Sequence, residues 1–353
     1  MLSVSALLVS GWAWVTWNDF TSHITRVSAI GGGPGGSGHK ADVDGKDQNI
    51  LIVGNDDRST ATDAELKLLG TTRDGGSLNT DTMMVLHVPA NGRKASVIGL
   101  PRDSYVAIPG HGMNKINSAY ALGLDDGHGD KSTAARLAVD TVQNLTGLAI
   151  DHFVQVDLIG FYRISKAIHG VPVNLCAPAK EANSGINLPK GVTTISGTQA
   201  LAFVRQRYGF PDGLGDLDRI HRQQYFLSAA FGKIASGGVL LDPFKVQDLL
   251  KAVRSSLTLD QALDPRELAG QLQSLTAGNL ALTTIPTDGF ADEDVGSVVV
   301  VHPTQVRARI TALIGKSTTA PKAPPPASRR TAPPTASSSG VTTAQQTTKS
   351  CIY

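Results

Sequence analysis

The sequence predicts an α/β fold: three layers, α/β/α, around a central mixed β-sheet. Three observations lead there. Short apolar runs of strand length alternate along the chain with longer segments that are apolar at helical spacing, the order expected of a sheet covered on both faces. The chain has 353 residues, enough to bury one large core or two domains. Polar side chains gather where the apolar runs end, which is where α/β folds place their ligands.

The folded region is expected to begin at Asn49 and to run to residue 315. Asn49 to Gly54 (NILIVG) reads as a buried strand that ends in a polar turn, Asn55-Asp56-Asp57-Arg58. Residues 59 to 80 are polar and Gly-rich and read as an irregular excursion. Met83 to Val88 and Lys94 to Leu100 are two further strands, with Pro89-Ala90-Asn91-Gly92 as the hairpin turn between them. Lys115 to Leu122 reads as a helix, as does Ser132 to Leu145, where Leu137, Thr141, Val142 and Leu145 share one side. Asp151 to Val156 alternates like a strand, Leu158 to Ile168 is apolar at helical spacing, and Val171 to Leu175 is a strand. Ser196 to Gln199 has the form of a capping box opening a helix to Val204. Asp216 to Ala235 is a long helix, and Asp242-Pro243 and Asp264-Pro265 are N-cap and N1 signals for two more. Leu280 to Ile285 and Ser297 to Val301 read as strands, and Pro303 to Ile314 as the last helix.

The flanks differ in composition. Leu2 to Trp17 carries no charge and holds Trp12, Trp14 and Trp17, residues suited to a membrane–water boundary. Its rise of about 24 Å falls short of a ~30 Å hydrocarbon core. Residues 1–20 are therefore expected to be an anchor that lacks part of its span. Residues 21–48, with the run Gly31 to Gly38, read as a flexible linker. Residues 316–353 are rich in Ser, Thr, Pro and Ala and are expected to be a disordered tail. The charges nearly balance, 32 Lys and Arg against 30 Asp and Glu, so bulk electrostatics gives no sign of nucleic acid. With two cysteines, Cys176 and Cys351, and no CxxC pair, a structural zinc site is disfavoured. The two thiols either pair in an oxidising compartment or stay free. There is no GxSxG elbow, HExxH or GxxxxGK[ST] loop, which disfavours a serine hydrolase and a P-loop.

One stretch concentrates charge. Ala202 to Gln224 carries Arg205, Arg207, Arg219 and Arg222, with His221 beside them, and a Gly/Pro-rich loop from Gly209 to Gly215 separates two clusters. Guanidiniums gathered in this way repel one another unless an anion or carboxylates lie between them. Two readings stand: a phosphate or pyrophosphate clamp, or a solvated face paired with Asp212, Asp216 and Asp218. Further carboxylates and arginines, namely Asp56, Asp57, Arg58, Asp81, Arg102 and Asp103, stand at predicted strand ends. Oxygen ligands of this kind suit Mg²⁺ on a diphosphate; singly, each Asp is as well explained as a turn or cap residue.

These motifs resemble a family. NILIVGNDDRS is similar to the opening strand and G-x-D-x-R of the LytR–CpsA–Psr (LCP) phosphotransferases, and NTDTMMVLHV resembles their D-T-M-M strand. SVIGLPRDSYVAIPG, NKINSAYALG and FVRQRYG…DLDRIHRQQ resemble their R-D, K-I-N-x-A-Y and R-x-R…D-x-x-R-x-x-R-Q segments. The likeness covers residues 49–235 in order. It implies transfer of a glycopolymer, a teichoic acid or polysaccharide, from a polyprenyl-diphosphate carrier to a muramic acid hydroxyl of peptidoglycan. It further implies a single-pass membrane protein with its catalytic domain outside the cell.

Carried over position by position, the resemblance implies that Asp56 and Asp81 hold Mg²⁺, with Asp57 as the alternative to Asp56. Arg102 and Asp103 match the R-D pair. Arg205, Arg207, Arg219, Arg222 and Gln223 match the pyrophosphate grip, and Arg58 the arginine of the first motif. Asp103 is the expected proton acceptor. The apolar faces of the helices at 132–145, 158–168 and 216–235 are candidates to line a groove for the lipid. A non-catalytic polyprenyl-phosphate or anionic-polymer binder is the alternative, while a transcriptional attenuator is disfavoured by the absence of a basic stripe or helix-turn-helix.

Overall fold

Alternation of apolar side chains in neighbouring strands builds the sheet. The computed structural model describes residues 18–19, 21–22, 24–30, 47–90, 95–206, 208–209, 216–235, 243–254, 256–264, 280–318 and 351–353. The expected anchor up to residue 17, Arg207, the helix expected after Asp264-Pro265 and the tail from 319 to 350 lie outside them. In chain order the first elements are β1 (Thr25–Val27), β2 (Gln48–Asn55), α1 (Asp63–Leu68), β3 (Thr80–Val88) and β4 (Ala95–Gly99). A hairpin of β5 (Tyr105–Ile108) and β6 (Gly112–Lys115) follows, then α2 (Ser118–Asp126), α3 (Lys131–Thr146), β7 (His152–Asp157) and α4 (Leu158–Ala167). Next come β8 (Val171–Leu175), β9 (Ala179–Glu181), β10 (Ile186–Leu188), β11 (Gly191–Ile195), α5 (Thr198–Arg205) and α6 (Asp216–Ala235). The chain continues with α7 (Pro243–Arg254), β12 (Leu257–Asp260), β13 (Leu280–Thr284), β14 (Phe290–Glu293), β15 (Gly296–Val299) and α8 (Pro303–Thr318).

Seven strands form the central sheet in the order β1-β12-β7-β2-β3-β4-β13. It is mixed: β2 runs parallel to β7 and antiparallel to β3, and β4 runs antiparallel to β3 and parallel to β13. Successive side chains point to opposite faces. On one face Leu51, Val53, Val85, Ile98 and Phe153 pack with α2, α3 and α8. On the other, Ile50, Met84, Leu86 and Val97 pack with Leu227 of α6. Each such large apolar side chain, fully buried, stabilises by about 1.5–3 kcal/mol. The three-layer reading therefore holds among the described residues.

Caps explain where helices begin and end. Asp130 accepts hydrogen bonds from the Ser132 and Thr133 amides at 3.1 and 3.0 Å and so starts α3. The helix stops at Gly147, whose φ of 74° is left-handed. α5 starts differently from its expected capping box. Gly197, at φ 56°, occupies the N-cap, and no side-chain cap bond forms. The left-handed turn moves the cap one residue beyond Ser196, and the Gly197 amide donates to Ser165 Oγ at 2.8 Å.

Four further differences stand out. Thr25–Val27, expected as linker, is an edge strand that pairs in parallel with β12. Residues 59–80 contain α1, closed by a reciprocal capping box between Thr62 and Glu65. Lys115, expected in a helix, ends β6, and the helix begins at Ser118. Cys351–Tyr353, expected as disordered tail, returns to the domain: Cys351 is disulfide-bonded to Cys176 and Ile352 is buried. Among the described residues no helix is long and apolar enough to cross a membrane.

Candidate active site

The C-terminal ends of β2, β4 and β7 and the start of β3 meet at one edge of the sheet. β2 and β3 lose register between Gly54 and Asn55, and this irregularity ends the ladder where the polar residues begin. Asp56 follows β2, Asp81 is the second residue of β3, Arg102 and Asp103 follow β4, and Asp157 closes β7. Asp56 and Asp81 stand 25 positions apart in sequence, yet both border one cavity. The intervening excursion is folded back rather than inserted. Arg163 of α4 grips Glu65 through Nε and Nη2, both at 2.8 Å, and Nη2 also donates to the Thr60 carbonyl at 3.0 Å. The Arg163 guanidinium holds the Glu65 carboxyl down at about 2. Gly76 presses on Asp56 so closely that a Cβ there would stand 2.0 Å from the Asp56 carbonyl oxygen.

The cavity holds about 590 Å³ and lies between one face of the sheet and helices α4, α5 and α6. Its wall is apolar: Ile52 and Met84 from the sheet, Leu158, Phe161 and Ile164 from α4, Leu201 and Val204 from α5, and Phe226, Leu227 and Ala230 from α6. Asp56, Asp81, Asp157, Arg205, Arg219 and Gln223 border the same space. Of the three candidate helices, those at 158–168 and 216–235 line this cavity. The helix at 132–145 does not: α3 packs on the opposite face of the sheet, and its apolar side belongs to the core with Leu51 and Val53.

The charges at the edge form a chain. Arg102 Nη1 donates to Asp81 Oδ1 at 2.6 Å, and Arg102 Nε stands 3.3 Å from Asp103 Oδ2. Lys115 Nζ lies 3.5 Å from the other Asp103 oxygen. Arg58, buried, pairs with Asp56 through both Nε and Nη2. Arg219 is 3% exposed and borders the cavity, as do Arg205 and Gln223.

Arg222 departs from the expected grip. It does not border the cavity: its guanidinium lies over the Phe203 ring, 4.7 Å from the centroid, and Nε donates to the Tyr353 carbonyl at 2.7 Å. The reason is helical phase. Arg219, Gln223, Phe226, Leu227 and Ala230 form the stripe of α6 that faces the cavity, and Arg222 stands at the edge of that stripe toward α5. Burial pulls its pKa down to about 10. Asp103 likewise lies outside the cavity lining, at the far side of Arg102.

Sequence reasoning missed Asp157. It borders the cavity, is 6% exposed, caps α4 through the Gly160 amide and accepts from Thr60 Oγ1 at 3.1 Å. Burial pushes its carboxyl up to about 6. Its position between a strand and an apolar helix was the available signal. Asn55 was also passed over. Its buried Oδ1 meets no hydrogen-bond partner and the residue borders the cavity.

Similarity to known proteins follows the same elements. The model of the LytR_cpsA_psr family matches residues 34–311. The cell wall biosynthesis protein LcpA of Corynebacterium glutamicum is 36% identical over 345 residues, covering 91% of this chain and 65% of LcpA. The polyisoprenyl-teichoic acid–peptidoglycan teichoic acid transferase TagU of Oceanobacillus iheyensis is 32% identical over 245 residues, 69% of this chain and 68% of TagU. The structure of TagT bound to LI-WTA superposes with a TM-score of 0.57 at 21% identity over 78% of this chain and 92% of TagT, a likeness of fold. The chain thus spans just under two thirds of LcpA. Because the matched span takes in every element that lines the cavity, the chain belongs to the LytR–CpsA–Psr family.

Proposed function

We propose that this protein transfers a glycopolymer from a polyprenyl diphosphate to a hydroxyl of peptidoglycan, leaving a phosphodiester. One observation carries the reading: a single cavity joins an apolar wall of lipid-binding character to a border of arginines and carboxylates. The relatives named as a teichoic acid transferase and as bound to LI-WTA support the same substrate class.

The prenyl chain lies along Phe161, Phe226 and Leu227, where its burial yields about 0.8 kcal/mol per methylene. The diphosphate sits against Arg205, Arg219 and Gln223. The acceptor oxygen attacks the phosphorus that carries the glycan, and the bond from that phosphorus to the bridging oxygen breaks. Polyprenyl monophosphate departs, and Arg219 offsets the charge that grows on it. Asp103 is the proposed acceptor of the hydroxyl proton, and its contacts to Arg102 and Lys115 fix both cations beside it.

Asp56 and Asp81 would hold Mg²⁺. Among the described residues no cluster of three or more His, Cys, Asp or Glu stands ready for a metal. Mg²⁺ is commonly held by one or two carboxylates together with substrate phosphates, so Asp56 and Asp81, beside the partnerless Asn55 oxygen, fit it by residue type, and the ion would share carboxylates that Arg58 and Arg102 hold. Bound there, the ion would neutralise charge on the diphosphate. The Cys176–Cys351 disulfide supports a location outside the cytoplasm, at the membrane that holds the carrier.

The test is turnover. The purified protein is incubated with a polyprenyl-diphosphate-linked glycan, Mg²⁺ and peptidoglycan strands, and products are read by mass spectrometry. Polyprenyl monophosphate together with a glycan–phosphate adduct on peptidoglycan is expected. Tight binding of the donor with no product would leave the protein a binder of polyprenyl phosphates.

A further inference from the structure

We propose that the segment Cys351–Tyr353 is a positioning element for the site, acting through Arg222; the activity part of this inference rests on the transferase reading above. The segment is held to β8 in three ways. Its cysteine is bonded to Cys176 with the Cα atoms 5.0 Å apart. The Cys176 amide donates to the Ile352 carbonyl and the Ile352 amide to the Asn174 carbonyl, both at 2.8 Å. Ile352, 3% exposed, completes the apolar cluster that contains Phe203, Tyr225 and Phe226. The Tyr353 carbonyl then accepts from Arg222 Nε at 2.7 Å.

Arg222 connects this segment to the chemistry. It stands on α6 between Arg219 and Gln223, which border the cavity, and its guanidinium covers Phe203 of α5. One buried cation therefore ties α5, α6 and the returning segment together. A buried guanidinium must keep hydrogen-bond acceptors, because desolvating it without them is costly. Loss of the Tyr353 carbonyl would take one acceptor from the buried Arg222 guanidinium and loosen the joint between the returning segment and the helix that carries Arg219. The cluster behind α6 is also the back of the cavity wall, since Phe226 and Val204 belong to both. Geometry at the diphosphate is thus set partly by residues 351–353, far along the chain from every motif of the site.

The test uses the whole purified chain. Arg222→Met keeps the apolar stem on Phe203 and removes the donors; Arg222→Lys restores a cation. The Met variant is expected to lose about tenfold in kcat with its donor KM within about twofold, as for an interaction that matters only in the transition state. The Lys variant is expected to recover most of that loss. Hydrogen exchange of Cys351→Ser should show faster exchange in α5 and α6, with β2, β3 and β4 unchanged. Wild-type kcat in Arg222→Met, or a loss that only follows the unfolded fraction in a thermal melt, would overturn the proposal. So would exchange changes confined to residues 351–353. If the wild-type protein turns over no donor, the transferase reading fails and the exchange experiment alone decides the positioning role.

Discussion

Arg219→Ala is expected to lower turnover by about 10²–10³-fold in a protein that still folds. Arg219 is 3% exposed on the border of a cavity whose wall is mostly apolar. Charge that develops on a leaving phosphate there meets little water, so a fixed cation counts for far more than it would at a surface. Removing one such preorganised donor typically costs about 2.7–4 kcal/mol at the transition state, and each 1.36 kcal/mol is about tenfold in rate. The lost aliphatic stem costs on the order of 2 kcal/mol of stability at about 0.8 kcal/mol per methylene, less than the 5–15 kcal/mol typical of a folded domain. The assay is initial-rate release of polyprenyl monophosphate, run well below the melting temperature and paired with circular dichroism. Arg219→Lys should recover part of the rate, since it restores the charge but not the two-pronged geometry. Wild-type rates in Arg219→Ala would refute the placement of the diphosphate.

Three other outcomes follow from the same structure. The carboxyl of Asp157, pushed up to about 6 mainly by burial, binds its proton more tightly folded than unfolded, so its contribution is full below about pH 4 and is lost as the pH rises through about 6. Asp157→Asn should therefore flatten the change of melting temperature between about pH 4 and 6 and raise it at about pH 7.5; an unchanged slope would assign the titration elsewhere. Gly76→Ala should cost about 1–3 kcal/mol and depress turnover, because its Cβ would meet the Asp56 carbonyl at 2.0 Å; denaturant melts and rates at wild-type values would show that the excursion moves aside freely. Replacing Cys176 and Cys351 together by serine should cost about 2–5 kcal/mol, read as a lower denaturation midpoint, and two free thiols in the untreated wild-type protein would contradict the bond.

Much of the sheet was legible because its strands are strongly apolar and end in turn residues. Asn49 to Gly54 and Met83 to Val88 fall within β2 and β3. The edge strand Thr25–Val27 was not legible: three residues carry no periodicity, and their partner β12 lies more than 200 positions away. The excursion at 59–80 hid α1, since a six-residue helix held by one capping box and the Arg163 fork has little pattern of its own. At the site, residue types were readable but directions were not. Asp56, Asp81 and Arg219 reach one cavity, whereas Arg222, in the same charged stretch, faces Phe203 and Tyr353. That difference is set by helix phase and by a segment 131 residues further on. Spacing alone shows the first only once the cavity's direction is known, and shows nothing of the second.

The proposed reaction requires one cavity to take lipid along its wall and diphosphate at its border. A crystal structure with a short polyprenyl diphosphate and Mg²⁺ tests it most directly. The prenyl chain should lie against Phe161, Phe226 and Leu227, with the diphosphate between Arg205 and Arg219 on one side and Asp56 and Asp81 on the other. A prenyl chain bound outside this cavity, or a diphosphate bound away from Arg219, would overturn the proposed donor site.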